Sequence, residues 1–540
     1  MCRRDDIPVV ALADDLSGAA EVAALLRLPG RLTLHPADLA VSVAAGESVV
    51  VDLDSRYLDD AAAAAAVRGA LRGTRMAAGT PRVAGTPRVA GAAGATGDRV
   101  GDLTVPGTAL PPGSRSEDSS EASRAFRAAN RVSPPGRTLW FKKCDSLLRG
   151  SVGAEAAAFA EGAEVLVIAT ALPAAGRVVR DGVVLVDGVP LHSCAAWRVE
   201  ERPAPRSVTE ALAPLPTEGV PVAAVRLGPH ALAGRFRAAA ARGRHPVCDA
   251  ETDADLSVIA AAAVLLGPGC RLLGSGGLAD ALGRRIGSRP PTRDGRMVPA
   301  PPETATGRET VSRRATPAAP RAGAAPETPA APRAGAAPHT PATPTAAGLP
   351  EAALHERPLL IVAGSAEPGV AAQVARLVAV GARHVALAPE ELAGPDPVSL
   401  PDLDAGTVTV VSVDGSGGVR SGAARSIVAG LARTVAALPT RPDLVLTGGE
   451  TARRVLDSMG VTVLWPVGEI HPGAVHCRTA DGRSVVTRPG SFGGPDSFHR
   501  IAAALRPHLL PPPAPPSPHA SPAPASSVMP SPPSQQGVTQ

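Results

Sequence analysis

The sequence predicts an α/β fold: two α/β domains with largely parallel sheets, joined by a disordered Pro/Ala-rich linker, with the active site in the interdomain cleft. Three observations carry this expectation. Short β-like runs alternate with longer Ala/Leu-rich helical stretches on either side of the linker, the pattern of helices layered on a parallel sheet. A repetitive Pro/Ala tract divides the chain and suits an extended connector better than any packed element. Charged and glycine-rich motifs stand directly after the strand-like runs, and in parallel sheets ligands bind beyond the carboxyl ends of the strands.

Composition narrows the class. The 44% hydrophobic content is mostly alanine and valine and aromatics are only 2%, so the cores must be built from small aliphatic side chains. A formal charge of +4, without basic clusters interleaved with aromatics, argues against a nucleic-acid partner. The six cysteines are scattered, with no C-x-x-C pair or Cys/His cluster, which indicates neither a zinc site nor a disulfide framework but reduced thiols in a cytosol. The N-terminus leads into a strand without a signal-type apolar stretch, and no run reaches transmembrane length. The expectation is a cytoplasmic protein with no membrane partner.

The first folded region spans 1–287. It is interrupted over about 73–136 by a low-complexity insertion containing Gly79-Thr-Pro-Arg-Val-Ala, repeated from Gly85. A disordered linker over 288–355 repeats one Pro/Ala-rich motif from Thr316 and again from Thr328. The second folded region spans 356–507, and a Pro/Ser/Ala-rich disordered tail covers 508–540. None of these three segments holds enough apolar surface to offset its ordering entropy.

Strands of the first region are expected at Val9–Ala13, Ser48–Leu53, Thr138–Lys142 and Val165–Ala169. After the first comes Asp14-Asp15-Leu-Ser-Gly-Ala19, opening a helix; paired acids there can order a hydroxyl, accept its proton or hold Mg²⁺, and they equally suit a plain helix N-cap. After the second comes Asp54-Ser55-Arg56-Tyr57, where Arg56 offers a fork suited to a carboxylate. The third delivers Lys142-Lys143-Cys144-Asp145-Ser146-Leu147-Leu148-Arg149-Gly150. Lys142 and Lys143 are the only two lysines of the chain, and all other basic side chains of the Lys/Arg class are arginine. An ammonium is a compact point charge that enters narrower anion pockets than a planar fork, so the pair marks an anion site rather than solvated charges at a strand end. The fourth strand precedes Pro173-Ala-Ala-Gly-Arg177, with Asp181-Gly182 and Asp187-Gly188 as tight turns of a short hairpin. Arg177 suits the cleft or the surface equally.

Strands of the second region are expected at Leu359–Ala363, His384–Ala388, Thr407–Val413, Leu444–Thr447, Thr462–Pro466 and Ser484–Thr487. Three glycine-bearing turns follow strands here: Gly364-Ser365, Thr447-Gly-Gly-Glu-Thr451 and Pro489-Gly-Ser-Phe-Gly493. Glycines between a strand and a helix start let backbone N–H groups approach a phosphate, and the helix dipole favours its charge. Glu450 would repel a phosphate, so it is expected to meet a ribose hydroxyl, a metal or the dipole alone. No G-x-x-x-x-G-K-[ST] occurs, and Gly274-Ser-Gly-Gly-Leu-Ala279 lacks the spacing of a dinucleotide loop.

Taken in order, Asp14–Ala19, Asp54–Arg56, Lys142–Gly150, Pro173–Arg177 with Val186–Leu191, Gly364–Ser365, Thr447–Thr451 and Pro489–Gly493 resemble the four-carbon acid sugar kinase family across nearly all of both folded regions. The resemblance implies a sugar-acid-binding N-terminal domain and a nucleotide-binding C-terminal domain. It implies ATP-dependent phosphorylation of threonate, erythronate or a 3-oxo-tetronate at the terminal hydroxyl, with Mg²⁺ bridging phosphates and no protein metal ligands assigned. Asp15 or Asp14 would deprotonate that hydroxyl, with Lys143 beside it; Arg56, Ser55, Lys142, Asp145, Arg149 and Arg177 would bind the acid. Ser365, Gly448, Gly449, Glu450, Thr451, Gly490 and Gly493 would hold ATP. The expected partners are the sugar acid and ATP, with a homodimer allowed for. The chain departs from the family by Ser17 for a common Thr, Leu147 for another Thr, and Arg488-Pro489 for a Lys-Ser pair, the last changing a phosphate-facing ammonium into a fork. Two other classes compete: a catalytically weak relative that binds or senses a sugar acid or nucleotide, and a nicotinamide-dependent oxidoreductase using Gly274–Ala279.

Overall fold

The computed structural model describes residues 8–27, 30–78, 138–194, 197, 202–286, 357–364, 368–415, 424–490 and 493–510. The linker, Ser365, the insertion beyond residue 78 and the tail beyond 510 lie outside the described residues. Helix Asp60–Ala78 continues through the residues the sequence assigns to the start of the insertion.

The first region contributes β1 (Val9–Ala13), β2 (Gly30–Thr33), β3 (Ser48–Asp52), β4 (Leu139–Lys143) and β5 (Val165–Ala169). A hairpin follows, β6 (Arg177–Arg180), β7 (Val183–Val186) and β8 (Val189–Pro190), and then β9 (Thr217–Val220), β10 (His245–Cys248) and β11 (Cys270–Gly274). The second region contributes β12 (Leu359–Ala363), β13 (Arg383–Leu387), β14 (Val408–Val413), β15 (Asp443–Thr447), β16 (Val463–His471), β17 (Ala474–Arg478) and β18 (Ser484–Arg488). In the first region the order is β2-β3-β1-β4-β11-β5-β10-β9, all parallel. In the second, β13-β14-β12-β15-β18 run parallel and β17 and β16 close the row antiparallel. Strands such as Val165–Ala169 and Leu359–Ala363 are buried at every position, as expected of parallel strands covered by helices on both faces.

The two regions share one sheet. β16 pairs antiparallel with β2, Val463 opposite Thr33 and Leu464 opposite Leu32, so fifteen strands form an unbroken row. Leu34 N–H extends the seam by donating to the Thr462 carbonyl at 2.9 Å. The sequence anticipates two sheets; the join escapes it because β2 is four residues, Gly-Arg-Leu-Thr, with one large apolar side chain. Pairing removes two exposed strand edges, each a row of unsatisfied backbone groups. The linker is therefore not what sets the geometry of the lobes. Among the described residues no helix is long and apolar enough to cross a membrane.

Leu32 and Leu464 are both fully buried at this seam. Leu464→Ala is expected to cost about 2–5 kcal/mol and to lower the urea midpoint of both lobes together. Separate lobe transitions, with only one shifted, would show that the seam does not unite them.

Candidate functional site at the lobe seam

β1, β3 and β4 are sheet neighbours, so the motifs at their carboxyl ends converge although they are far apart in sequence. Asp15 caps helix Leu16–Leu25, its Oδ1 accepting from Gly18 N–H at 2.8 Å. Its Oδ2 accepts from Arg56 Nη1 at 2.7 Å, while Arg56 Nε donates to Asp14 Oδ2 at 2.8 Å. The helix cap and the bond to Arg56 thus use different oxygens of Asp15. The Ser55 and Arg56 amides both donate to the Asp14 carbonyl, at 2.9 and 3.1 Å, which locks the Arg56 turn onto the end of β1.

Electrostatics hold this cluster in its charged form. Burial pushes the Asp14 carboxyl up, but Arg56, Lys142 and Lys143 outweigh it and hold Asp14 below the usual value. Burial lowers the Arg56 pKa, yet Asp14 and Asp15 carry it well above the ordinary arginine range.

The two lysines have different surroundings. Lys142 is fully buried and pairs with Glu155 Oε2 at 2.9 Å, and Glu155 Oε1 accepts from Ser55 Oγ at 2.5 Å. Lys142 and Ser55 are thereby engaged inside the core rather than presented to the cleft. Lys143 lies 3.4 Å from Glu21 Oε2 and close to Gly18, where an added Cβ would stand 3.3 Å from its Nζ. Burial lowers the Lys143 pKa, but Glu21, Asp14 and Asp15 raise it above the ordinary lysine value. Glu155 and Glu21 are acids the motifs missed; each sits one helix turn into an Ala-rich helix, where nothing but the fold shows that it faces an ammonium.

Asp145 receives Arg149 at 2.7 and 2.9 Å and the Leu147 and Arg149 amides at 3.2 and 3.3 Å. Burial raises its pKa, but these bonds and the guanidinium hold it well below the usual carboxylate range. Asp145 thus shapes the loop and aims Arg149. Leu148 takes φ of 62° and Gly150 of 83° in this turn, left-handed values that cost a leucine but not a glycine. Arg177 reaches the same loop, Nη1 donating to Ser146 Oγ at 2.6 Å. Tyr57, the only tyrosine of the chain, is 58% exposed beside Arg56.

The second region meets this cluster directly. Gly448 (φ 91°) precedes helix Gly449–Ser458, and an added Cβ on Gly449 would stand 2.5 Å from Asp15 Oδ2. Only glycine fits there. Gly364 is equally constrained, since a Cβ would collide with the Thr451 hydroxyl. Glu450 lies in the first turn of that helix, half-buried. Gly448 N–H donates to the Arg488 carbonyl at 2.8 Å, which sets the Gly490 turn beside the helix start, and Gly493 accepts from Gln373 Nε2 at 3.1 Å. Thr447 and Thr487, at or near the ends of β15 and β18, each bury a hydroxyl with no hydrogen-bond partner among the described residues. Glycines, a helix N-terminus and unpartnered hydroxyls at these strand ends fit a nucleotide's phosphates.

Arg488 corrects an expectation. It is fully buried, donates to Ser497 Oγ at 3.2 Å and stacks on Phe498 at 4.6 Å, and a Cβ added at Gly493 would stand 3.0 Å from its Nη1, so the fork braces the Gly493 turn from the domain interior rather than standing free at a strand end. The Gly274–Ala279 loop is likewise spent on packing: Ser275 Oγ donates to the Ala171 carbonyl at 2.5 Å, and Gly277 passes so near that carbonyl that a Cβ would stand 2.8 Å away. Among the described residues no three His, Cys, Asp or Glu side chains converge on a metal position. A Mg²⁺ held mostly by phosphate oxygens and water needs no such cage.

A family model described as a sugar-binding N-terminal domain matches residues 9–84 and 108–282, and one described as a nucleotide-binding C-terminal domain matches 360–498. A D-threonate kinase of Cupriavidus necator is 38% identical over 164 residues, covering 30% of this chain and 39% of that protein. A D-threonate kinase of Salmonella typhimurium is 38% identical over 180 residues, covering 31% and 42%. The chain thus spans about two fifths of the length of the curated relatives it matches. In fold it is similar to a solved Salmonella typhimurium LT2 protein (TM-score 0.56, 16% identity, 92% of this chain and 98% of that one). A Haemophilus influenzae protein is similar as well (TM-score 0.53, 17% identity, 92% and 100%).

Asp145→Asn is expected to destabilise the protein at pH 7 by about 2 kcal/mol, less than for a fully buried pair because Arg149 keeps some solvent contact. The folded-state pKa of Asp145 is depressed, so its stabilisation is complete above the unfolded value near 4 and declines as pH falls below it. Urea midpoints at pH 7 and pH 3 should therefore show the deficit shrinking by about 1 kcal/mol. An equal deficit at both would mean that the pairing does not anchor the loop.

Proposed function

The chain belongs to the four-carbon acid sugar kinase family, and on that premise we propose that it transfers the γ-phosphoryl group of ATP to the terminal hydroxyl of a four-carbon sugar acid of the threonate type. The observation that carries this is the meeting of Gly449 with Asp15 across the seam. A helix start built to receive phosphates abuts a carboxylate able to receive a hydroxyl proton, so donor and acceptor come together without large closure. Phosphoryl transfer needs chiefly such positioning and charge stabilisation.

In this reading Asp15 Oδ2 keeps acceptor capacity beside its Arg56 bond and takes the proton as the hydroxyl oxygen attacks the γ-phosphorus and ADP departs. Asp14, behind it and 2% exposed, serves to hold Arg56. Lys143, Arg56 and Arg149 line the acid side and would share the substrate carboxylate and the migrating charge, with Arg177 steadying the loop through Ser146. Gly448 to Thr451 and the Gly490–Gly493 turn would receive the phosphates. Ser365 lies outside the described residues. The nucleotide base would lie in the groove of about 340 Å³ beside β13 and β14, lined by Val370, Val374 and Ala386 and ending at Asp414 and Gly415. Mg²⁺ would neutralise phosphate charge when bound.

Release of ADP across a panel of four-carbon sugar acids tests the reading. Ligand-induced thermal stabilisation without turnover on any of them would favour the binding or sensing alternative. Asp15→Asn is expected to lower kcat at least about a hundredfold with its unfolding midpoint nearly kept; unchanged turnover would remove Asp15 from the chemistry. Lys143→Ala should raise the sugar-acid KM by about tenfold or more while leaving the ATP KM within about threefold. The opposite pattern would assign this ammonium to the phosphates.

A further inference from the structure

We propose that Asp52 and Arg453 form a positioning pair that couples the nucleotide loop to the Arg56 fork, so that nucleotide and sugar acid bind cooperatively; this rests on the kinase reading above. Asp52 ends β3, is fully buried, and uses its two carboxylate oxygens in opposite directions. Oδ2 accepts from Arg453 Nη1 at 2.9 Å, on the helix whose first residue is Gly449. Oδ1 accepts from the Asp54 amide at 3.0 Å, inside the turn that carries Arg56.

Asp54 takes φ of 49°, a left-handed value that is uncommon outside glycine and that aspartate tolerates better than most side chains, so its neighbours help to fix it. The Asp52 acceptor and a second cross-lobe pair, Arg454 Nη1 to Asp54 Oδ2 at 2.9 Å, do so here. Two consecutive arginines of the nucleotide-side helix thus grip two acids flanking the turn that orients Arg56. Arg453 is itself aimed by Asp457 one turn along, at 2.9 and 3.0 Å from its Nε. Movement of this helix on receiving phosphates is relayed through Asp52 to the turn, and through it to Arg56, Asp14 and Asp15.

Stability alone does not account for the pair. Desolvating two charges commonly offsets their attraction, and apolar residues of similar volume would hold a seam as well. What an ion pair adds is a defined direction and length. Coupling of this kind is reciprocal: each ligand must tighten the other by the same factor.

The test is the dissociation constant of D-threonate with and without a non-hydrolysable ATP analogue, for the wild type, Arg453→Gln, Asp52→Asn and the double variant. The double variant retains a neutral hydrogen-bonding pair and keeps the test available if a single variant does not fold. In the wild type the analogue should tighten threonate at least about fivefold. In Arg453→Gln, Asp52→Asn and the double variant that factor should fall to about one with each ligand's own affinity within about threefold, and a fifth protein, Arg453→Lys, should keep part of it. A wild type that turns over a sugar acid, with the coupling factor absent or equal in all variants, overturns the link alone. A wild type that binds neither ligand and releases no ADP overturns the kinase reading and the link with it.

Discussion

Arg56 is the charge on which the acid side of the seam depends. Two adjacent aspartates at a buried strand end would repel each other, and one would take up a proton rather than remain ionised. The guanidinium spans both carboxylates with two bonds of fixed geometry, which a lysine could not do from one position. Its backbone is tied to Asp14 and its turn to Asp52, so the fork is held from three sides. Lys143 and Glu21 then complete the rim.

Around that fork, buried charge is arranged in matched sets rather than singly. Lys142 with Glu155 and Ser55, Asp145 with Arg149, and Asp52 with Arg453 are each satisfied within a few ångströms. Cores of alanine, valine and leucine tolerate these sets because each charged member has an opposite charge within reach, whereas one removed partner would leave a desolvated charge. The sets also sort the strand-end residues into layers. Lys142, Ser55 and Asp14 lie behind, while Asp15, Lys143, Arg149 and Tyr57 stand nearer the opening, and a flexible ammonium survives in each layer for a different reason.

The continuous sheet gives these layers a fixed partner across the seam. Because β16 is hydrogen bonded to β2, helix Gly449–Ser458 has a defined position beside helix Leu16–Leu25 and the carboxyl ends of β1 and β3, and a glycine at its start can lie against Asp15. Two lobes on a loose tether could reach the same arrangement only by losing rotational freedom at each encounter. The proposed phosphoryl transfer and the proposed coupling both draw on this preorganisation.

Much of the fold and part of the site were legible in the chain itself. Parallel strands buried on both faces write continuous apolar runs, so β1, β5, β12 and β15 stand out, and the residues after them are where a parallel sheet places chemistry. That reasoning singled out Asp14, Asp15, Arg56, Lys143, Arg149 and the Gly448–Thr451 turn as candidates, and the ordered motifs found the family. It could not say which of two adjacent lysines faces inward, because successive strand residues point to opposite faces and the pairing order was unknown. Nor could it find Glu155, Glu21, Asp52 and Arg453, charges within helices or at a strand end whose partners lie up to several hundred residues away. The sequence by itself determined the α/β layers, the strand-end motifs and the glycine-bearing turns after the strands, since these follow from local pattern. Only the tertiary structure decided that the two sheets are one, that Arg488 braces a core, and that Asp15 meets Gly449, because those depend on which distant strands share hydrogen bonds.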